Sequence, residues 1–544
     1  MKAYLRTILT EALQRAGYPA PHDVTVERPR QEGHGDLTTN VAMVLAKPLG
    51  KKPRTLADEI VAHLSADSGM IARIEVAGPG FINVTFTDAF FRRQLTELLR
   101  AGSDFGRSSL GNGRRVQVEF VSANPTGPLT VGHGRGAVFG DTVSRLLEWT
   151  GHNVEREYYF NNAGRQMRTL GDSVRLRYLE LLGDTVEFPQ EYYQGEYIKD
   201  IARHILERHG ESKREEPAEG LFKSVAEEEI FADIRTTLTN LGITFASYYN
   251  EHSLYTDGKI TAVVEALKER GLTYEQDGAL WFKASALGNE KDKVIIKSTG
   301  EPTYRLPDIA YHVEKFRRGY DLMIDIFGAD HIATYPDVLV ALKALGFDAA
   351  RVKVLIHQFV TIMMGNEVVK MSTRKANFIT LDELAADVGT DAVRYFFIMR
   401  TVSSHLNFDI ELARQKSDEN PVYYVQYAHA RISSILRFAD KEGNAVEQGG
   451  AEIDLLTTPE ELVLIRRLLQ FPETVESCAM THEPHRLADY LHDLAATFHV
   501  FYHHHRVVTP DERLTAARLA LVRAVQIVLR NGFSILGISA PEQM

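Results

Sequence analysis

The amino-acid sequence predicts an α/β fold, in which a central domain with a doubly wound, mainly parallel sheet lies between a small α+β domain and an all-α bundle. Apolar runs such as RRVQVEFV, YDLMIDIFGA and VKVLIHQFV alternate with helical segments such as PDVLVALKALG between residues 111 and 390. Strands interleaved with helices are typical of a parallel, Rossmann-like sheet. Beyond residue 390 the strand-like runs vanish and helical periodicity continues, which favours a bundle over residues 391–544.

Residues 1–110 are predicted to form the small α+β domain. The segment HGDLTTNVAMVLAKPLGKKPRTLADEIVAHL has helical periodicity after Asp36, a candidate helix cap. The alternating FINVTF predicts a strand, and DAFFRRQLTELLRAG predicts a closing helix. Residues 1–115 hold 16 Lys and Arg against 12 Asp and Glu, whereas the whole chain has a net charge of −11. The basic part of the chain is therefore its N-terminal part.

Composition limits the class of protein. A length of 544 residues, with 44% hydrophobic and 25% charged residues, predicts a globular protein of several domains. We find no apolar run of about 18 residues and no secretory signal, so we expect a cytoplasmic protein without a membrane segment. The single cysteine, Cys478, excludes a disulfide framework and a cysteine-cluster zinc site.

A glycine-rich segment, SANPTGPLTVGHGRGAVFGD, joins the predicted strand RRVQVEF to the predicted helix TVSRLLEWT. A glycine-rich turn lets the backbone approach a ligand, and the following helix offers unpaired N–H groups to a phosphate. The spacing differs from the dinucleotide pattern GxGxxG, and no GK[ST] follows as in a P-loop. The segment predicts a nucleotide site, with a purely structural turn as the alternative.

The residue order of EFVSANPTGPLTVGHGRGAVFGD resembles the HIGH signature of class I aminoacyl-tRNA synthetases, in the form found in bacterial arginyl-tRNA synthetases. About 240 residues later, EVVKMSTRKANFITLDEL resembles the second signature of that class, the KMSK loop. GHGDLTTNVA and GPGFINVTF resemble the additional N-terminal domain of the family, and YVQYAHARI resembles its helical anticodon-binding domain. Two signatures in the right order are more specific than either alone.

The resemblance implies that arginine attacks the α-phosphorus of ATP, and that the arginyl group then passes from the adenylate to the terminal adenosine of tRNA(Arg). Such catalysis depends on positioning and on neutralising phosphate charge. The implied catalytic residues are His133, Lys370, Ser372 and Arg374. The implied ATP-binding residues are Ala123, Asn124, Pro125, Thr126, Gly127, Pro128, Leu129, Thr130, Val131, Gly132, His133, Lys370 and Met371. Mg²⁺ is expected to arrive with ATP, without a metal site in the protein.

Two positions depart from the family pattern. Thr130 stands where the first histidine of the HIGH signature is usual, and Thr373 stands in place of the second lysine of the KMSK loop. The hydroxyl of Thr130 can donate to a phosphate but carries no charge. Arg374 or Lys375, which follow directly, could supply the missing cation.

Selection of arginine requires carboxylates that pair with a guanidinium. By resemblance, the arginine-binding residues are Glu119, Asn124, Tyr304, Asp308 and His331. Spacing alone favours an edge-strand salt bridge for Glu119, and only the match to EFVSANP indicates a substrate role. For His331, an ordinary loop histidine is the alternative. Pro307 occupies the position of an arginine that is usual in the family.

The resemblance also implies contacts with tRNA, since aromatic residues beside amides and arginines can stack on unpaired bases. The implied positions are Phe81 and Asn83 at the tRNA elbow, and Tyr423, Gln426, Tyr427 and Arg431 near the anticodon. The helix-core spacing of Val425, Ala428 and Ile432 allows the alternative that several of these side chains pack internally. The family further implies a monomer.

Other function classes leave parts of the sequence unexplained. A nicotinamide oxidoreductase would share the sheet, but KMSTR would have no role. Another adenylate-forming nucleotidyltransferase would need neither the N-terminal nor the helical domain. A non-catalytic RNA-binding relative is the alternative that Thr130 and Thr373 favour.

Overall fold

An antiparallel four-stranded sheet with helices against one face forms the N-terminal part of the protein. The computed structural model describes residues 1–21, 24–29, 33–365, 367–369, 379–443 and 451–544. The first elements are α1 (Lys2–Arg15), β1 (Val26–Glu27), β2 (Leu37–Thr39), α2 (Val41–Leu49), α3 (Pro53–Ala62), β3 (Ile71–Ala77), β4 (Phe81–Phe86) and α4 (Asp88–Ala101). The strand order is β1-β2-β4-β3. Alternate residues of β4, namely Ile82, Val84 and Phe86, are buried, which confirms the predicted strand.

The prediction of a helix beginning after Asp36 was wrong, because Leu37–Thr39 forms strand β2. The carboxylate of Asp36 accepts the Phe86 N–H at 2.8 Å, and its own N–H donates to the Val84 carbonyl at 2.8 Å. These bonds fasten the segment to β4. The helix begins only at Val41.

A five-stranded parallel sheet confirms the predicted doubly wound domain. The elements are β5 (Arg115–Glu119), α5 (Val131–Trp149), β6 (Asn153–Phe160), α6 (Gly164–Leu181), α7 (Glu196–His209), α8 (Lys223–Asn240), β7 (Ser247–Asn250), α9 (His252–Thr256), α10 (Lys259–Glu269), β8 (Thr273–Gln276), β9 (Ala279–Phe282), β10 (Lys293–Ile296), α11 (Arg305–Arg317), β11 (Leu322–Gly328), α12 (Tyr335–Ala344), β12 (Val352–His357), β13 (Val360–Met364) and β14 (Glu367–Val368). The strand order is β12-β11-β5-β6-β7, with every pair parallel. The chain leaves β5 toward β6 and returns later to β11 on the other side of β5. This reversal is a topological switch point, where open α/β sheets bind ligands.

The remaining elements are mostly helical: α13 (Leu381–Val388), α14 (Thr390–Ile398), β15 (Leu406–Asp409), α15 (Ile410–Arg414), α16 (Pro421–Lys441), α17 (Pro459–Leu468), α18 (Phe471–Thr481), α19 (His485–His504) and α20 (Glu512–Leu536). Strand β15 contradicts the prediction that strands vanish beyond residue 390, since it pairs with β13. The predicted helix ELVLIRRLLQFPETV is divided into α17 and α18. Strand β15 has four residues, and such a short apolar run carries little periodicity.

Helix α20 is long and apolar enough to cross a membrane when judged by length and composition alone, with a mean hydropathy of 1.4 over its most apolar 18-residue stretch. It is the one such helix in the described ranges. Because 78% of that stretch is buried in the protein, α20 has the surroundings of a core helix.

The described residues form two compact units. One unit comprises Met1–Phe105, Arg431–Gln470 and Ala496–Val528, and includes the antiparallel sheet. The other comprises Gly106–Ala430, Phe471–Ala495 and Leu529–Met544, and includes the parallel sheet.

Helix α5 is the central helix of the second unit. Its glycines permit close packing: a Cβ atom on Gly140 would lie 2.3 Å from the ring of Phe120. Its Asp141 carboxylate accepts from the fully buried Arg394 at 2.6 Å. Arg394 also donates to the carbonyls of Leu241 and Leu536, so this buried charge is fully partnered.

Candidate active site

A cleft of about 1170 Å³ opens at the carboxyl edge of the parallel sheet. Its walls come from the loop after β5, the first turn of α5, the end of β11, helix α11 and the segment after β12. The cleft therefore lies at the switch point that the strand order defines. Of the residues assigned by resemblance, those in its wall are Glu119, Ala123, Asn124, Thr130, Val131, Gly132, His133, Tyr304 and Asp308.

The loop after β5 turns sharply through two left-handed residues. Val121 has a φ of 68° and Ser122 a φ of 46°. This conformation is rare for a β-branched side chain and costs about 1 to 3 kcal/mol. The turn lets the Ser122 hydroxyl donate to Glu119 Oε1 at 3.1 Å. The loop thus returns to the strand that it has just left.

The rest of this loop is held from outside the cleft. Tyr158 and Tyr197 donate to the carbonyls of Ala123 and Thr126, each at 2.8 Å. The Asn124 amide is engaged on both sides, since Oδ1 accepts the Asn161 N–H at 2.9 Å and Nδ2 donates to Gln166 at 2.9 Å. Pro125 and Leu129 are buried, and Thr126, Gly127 and Pro128 are half-buried. For these five residues, ATP contact remains a prediction.

Thr130 is the N-cap residue of α5. Its N–H donates to His133 Nδ1 at 3.1 Å, the reciprocal half of a capping box in which histidine takes the usual place of Glu or Gln. A backbone N–H can only donate, so Nδ1 carries no proton and His133 bears its hydrogen on Nε2. Burial lowers the pKa of His133, although Asp330 opposes this shift. The ring is therefore a neutral hydrogen-bond donor at the helix N-terminus.

The segment after the second signature is attached beside the first. Thr130 forms an isolated antiparallel bridge with Thr380, and the Leu381 N–H donates to the Leu129 carbonyl at 2.8 Å. The predicted residues Lys370, Met371, Ser372 and Arg374, together with Thr373 and Lys375, lie outside the described residues.

Three carboxylates lie side by side on the central strands, level with the last residue of β5. Asp325 of β11 is opposite Glu119 of β5, and Glu119 is opposite Glu157 of β6. Paired residues of parallel strands point to the same face of the sheet. All three side chains are buried. We call them the carboxylate row.

Helix α11 and the residue after it supply cations to this row. Lys315, which is fully buried, donates to Glu119 Oε2 and to Asp325 Oδ1, each at 2.6 Å. His312 Nε2 lies 2.8 Å from the other oxygen of Asp325. Arg318 donates to both oxygens of Glu157, at 2.5 and 2.7 Å. These cations are three residues apart and so share one face of the helix.

Burial acts to raise the pKa of both Glu119 and Glu157, but their ion pairs oppose it to different extents. Burial raises the pKa of Glu119, although Lys315 opposes this shift. Burial also acts to raise the pKa of Glu157, but the Arg318 bonds outweigh it and lower that pKa to about 2. Glu119 is therefore the more readily protonated of the two, and it faces the cleft.

Asp308 and Tyr304 lie at the start of α11. Asp308 is half-buried, and desolvation raises its pKa to about 7, with Glu119 and Glu251 adding to the effect. The neighbouring His312 and Lys315 oppose this rise in pKa but do not cancel it. Tyr304 is 87% exposed at the edge of the cleft. Pro307 is buried in the first turn of α11, where its missing N–H is tolerated.

Glu251, a buried carboxylate in the cleft wall, was not predicted from the sequence. It accepts from the Tyr159 hydroxyl at 2.9 Å and from the Asn161 amide at 2.8 Å. Burial raises its pKa. The signal was available: Glu251 follows β7 directly, at the edge of the sheet where ligands bind.

His357 is a second missed residue in the cleft wall. It ends β12 and faces α5, where a Cβ atom on Gly136 would lie 3.0 Å from its Nε2. Burial lowers the pKa of His357 to about 4, so the ring is neutral. The backbone of the predicted residue His331 lies in the turn Ala329–Ala333, which follows β11.

The residues predicted to contact the tRNA elbow occupy one face of β4. Phe81 is 36% exposed. Asn83 is buried and accepts from the Thr38 hydroxyl at 2.6 Å. Both side chains point away from the buried Ile82 and Val84, because strand residues alternate between faces.

The residues predicted near the anticodon lie on α16. The rings of Tyr423 and Tyr427 stack, with centroids 6.0 Å apart, and both are half-buried. Gln426 is buried, and its amide donates to Asp391 at 2.8 Å and to the Ser539 carbonyl at 3.0 Å. These bonds hold the Gln426 side chain inside the protein, so its position does not support the predicted contact near the anticodon.

Arg431 lies in a separate groove of about 610 Å³. The groove is lined by Arg431, Ser434, Ile435, Phe438 and residues 502–508. The Arg431 guanidinium lies over the ring of Tyr502, 5.4 Å from its centroid. Phe438 is 54% exposed. The groove thus combines aromatic faces with positive charge.

Three family profiles match the chain. The arginyl tRNA synthetase N terminal domain matches residues 3–86, the class I (R) tRNA synthetase catalytic domain matches residues 94–397, and the DALR anticodon binding domain matches residues 425–544. Among curated relatives, the arginine–tRNA ligase of Desulfotalea psychrophila is 53% identical, over 96% of this chain and 94% of its own length. That of Chlorobium phaeobacteroides is 50% identical over the full length of both chains.

Among solved structures, arginyl-tRNA synthetase from Thermus thermophilus matches with a TM-score of 0.78 and 25% identity, covering both chains completely. The cleft therefore occurs in a chain whose whole length has relatives of one kind. On these matches, the chain belongs to the arginyl-tRNA synthetase family of class I aminoacyl-tRNA synthetases.

Proposed function

We propose that the cleft at the carboxyl edge of the parallel sheet activates L-arginine with ATP and transfers the arginyl group to the terminal adenosine of tRNA(Arg). One observation carries the proposal. The N-terminus of α5 and the carboxylates Glu119, Asp308 and Glu251 face the same cleft. A phosphate seat beside several carboxylates fits a triphosphate and a cationic amino acid held together.

The phosphates of ATP are proposed to lie at the start of α5. The helix N-terminus favours negative charge, and Thr130 and Gly132 give the backbone close access. His133 donates through Nε2–H to the charge that develops on the phosphates. Mg²⁺ enters with ATP and screens the triphosphate. We propose that Lys370, Ser372 and Arg374 complete this side of the site.

The amino acid is proposed to bind between Glu119, Asp308 and Glu251. Arginine carries two cationic groups, and a planar guanidinium suits bidentate pairing with carboxylates. Tyr304, strongly exposed at the edge of the cleft, is free to move toward the substrate side chain. Asn124 and His331, which the resemblance also names as arginine-binding residues, are proposed to complete the arginine site.

The tRNA is proposed to contact three surfaces. Phe81 and Asn83 face the elbow, while Tyr423 and Tyr427 lie near the anticodon. The groove around Arg431 suits an unpaired base, which would stack on the aromatic rings. We further propose that domains of residues 1–110, 111–390 and 391–544 divide these tasks, and that the protein works as a cytoplasmic monomer without membrane attachment.

A pyrophosphate–ATP exchange assay tests the proposal. We expect exchange that depends on arginine and on tRNA(Arg). Glu119→Gln should raise the KM for arginine by at least about a hundredfold, because a buried cation loses its counter-charge. His133→Ala should lower the exchange rate while tRNA binding stays nearly unchanged.

A matched control is Glu265→Gln, which makes the same change at an exposed position of α10 and should leave exchange unchanged. Exchange with none of the twenty amino acids in the presence of tRNA would contradict the catalytic proposal. Equal loss of exchange and tRNA binding in His133→Ala would assign that residue a structural role instead.

A further inference from the structure

Lys315 is the cation that links two members of the carboxylate row. Glu119 and Asp325 are opposite residues on adjacent strands, and one ammonium group donates to both at 2.6 Å. Lys315 is completely buried, and its ammonium group also lies over the ring of Tyr311, 4.3 Å from the centroid. A lysine so placed is confined to one location and to these partners.

Two buried carboxylates at this spacing cannot both remain ionised without a cation between them. The charged and titratable groups that face Glu119 are Lys315, His312, Asp308 and Tyr311 from α11, Asp325 from β11, and Glu157 and Tyr159 from β6, with the Ser122 hydroxyl from the loop. Glu157 is neutralised by Arg318, and His312 contacts Asp325 Oδ2 and the Asp308 carbonyl. Among these groups, Lys315 is the cation that contacts Glu119 directly.

We propose that Lys315 is a positioning residue for arginine binding: it keeps Glu119 ionised beside Asp325, so that Glu119 presents a negative charge to the substrate. The inference rests on the proposed function, in which Glu119 binds arginine. Lys315 itself lies behind Glu119, and the walls of the cleft are formed by Glu119 and its neighbours.

The sign of the effect follows from the charges. Burial raises the pKa of Glu119 and Lys315 lowers it. Lys315 is the strongest of the groups that lower this pKa, ahead of His312. Without it, burial and the repulsion from Asp325 would dominate, so that Glu119 would take up a proton at neutral pH. Raising the pH would restore the charge and, with it, arginine binding. A lysine that served only to fill space would give a loss independent of pH.

The test compares five variants in the exchange assay with tRNA(Arg), from pH 6.5 to 9. Lys315→Met is expected to raise the KM for arginine about 10- to 100-fold at pH 7, because most of Glu119 would then be protonated. At pH 9 the KM should return to within about threefold of the wild-type value. The KM for ATP should stay within about twofold at every pH, and Lys315→Arg should be impaired less than Lys315→Met.

The double variant Lys315→Met/Asp325→Asn removes one charge of each sign. It should restore the KM for arginine to within about fivefold of wild type at pH 7, and it carries the test if Lys315→Met alone does not fold. Arg317→Met is the matched control, because Arg317 is exposed on the same helix and should leave every parameter unchanged.

A loss in Lys315→Met of equal size at pH 7 and pH 9 would overturn the inference, as would a double variant that is no better at pH 7 than the single variant. Glu119→Gln separates this failure from that of the proposed function. If Glu119→Gln leaves the KM for arginine unchanged, the arginine site itself is misplaced; if it raises that KM while Lys315→Met does not, only the role of Lys315 fails.

Discussion

Asp308 makes the proposed arginine site sensitive to pH near neutrality. Its pKa is raised to about 7 by desolvation, with Glu119 and Glu251 adding to the effect. Below this pKa the carboxyl group is protonated and neutral, and a neutral carboxyl cannot pair with a guanidinium charge. Substrate binding should therefore strengthen as the pH rises through 7.

The size of the effect follows from the titration. With a pKa of about 7, roughly one-tenth of Asp308 is ionised at pH 6 and roughly nine-tenths at pH 8. If only the ionised form binds, kcat/KM for arginine rises about tenfold between these values. At pH 7, binding should release about half a proton from this group.

The assay is pyrophosphate exchange at saturating ATP and tRNA(Arg), with kcat/KM for arginine measured in half-unit steps from pH 6 to 8.5. Asp308→Asn should lower kcat/KM by at least about a hundredfold and flatten the rise, because the amide does not titrate. A wild-type profile that is flat over this range would refute the reasoning. A rise of the same size in Asp308→Asn would assign the titration to another group.

Three further predictions concern the framework that holds the site. Gly140→Ala should lower the free energy of unfolding by about 1 to 3 kcal/mol through overpacking. Gly132→Ala should lower it by less than half as much, because the new Cβ would meet only an atom 3.6 Å away. Equal effects of the two substitutions in chemical denaturation would count against tight packing at Gly140. Arg394→Met should lower the unfolding free energy by about 3 to 5 kcal/mol, because Asp141 loses a buried partner, and a loss under 1 kcal/mol would mean that other cations compensate. Val121→Gly should raise stability by about 1 kcal/mol by relieving the left-handed backbone, and a lower Tm would show that this turn is unstrained.

Strands were predicted best from the sequence where apolar runs were long. Strand β11, with the sequence LMIDIFG, stands out as a nearly continuous apolar stretch, because strands covered on both faces have little polar alternation. Leu37–Thr39 was missed because it is a three-residue strand and one of its two pairing partners, β4, lies more than 40 residues away in the chain. Such a pairing leaves no local signal.

The site was only partly predictable for a similar reason. Glu119 was found through a motif, but its relation to Asp325 depends on the register of two strands about 200 residues apart. Thr130 was interpreted as a missing histidine, whereas its position shows an N-cap that fixes the ring of His133. That role depends on backbone geometry, which residue spacing does not specify.

The bridge between Thr130 and Thr380 joins the start of α5 to the segment that leads into α13. A backbone hydrogen bond keeps nearly the same length. A shift of Thr380 and the start of α13 therefore also moves the first turn of α5, where we propose that the phosphates of ATP bind.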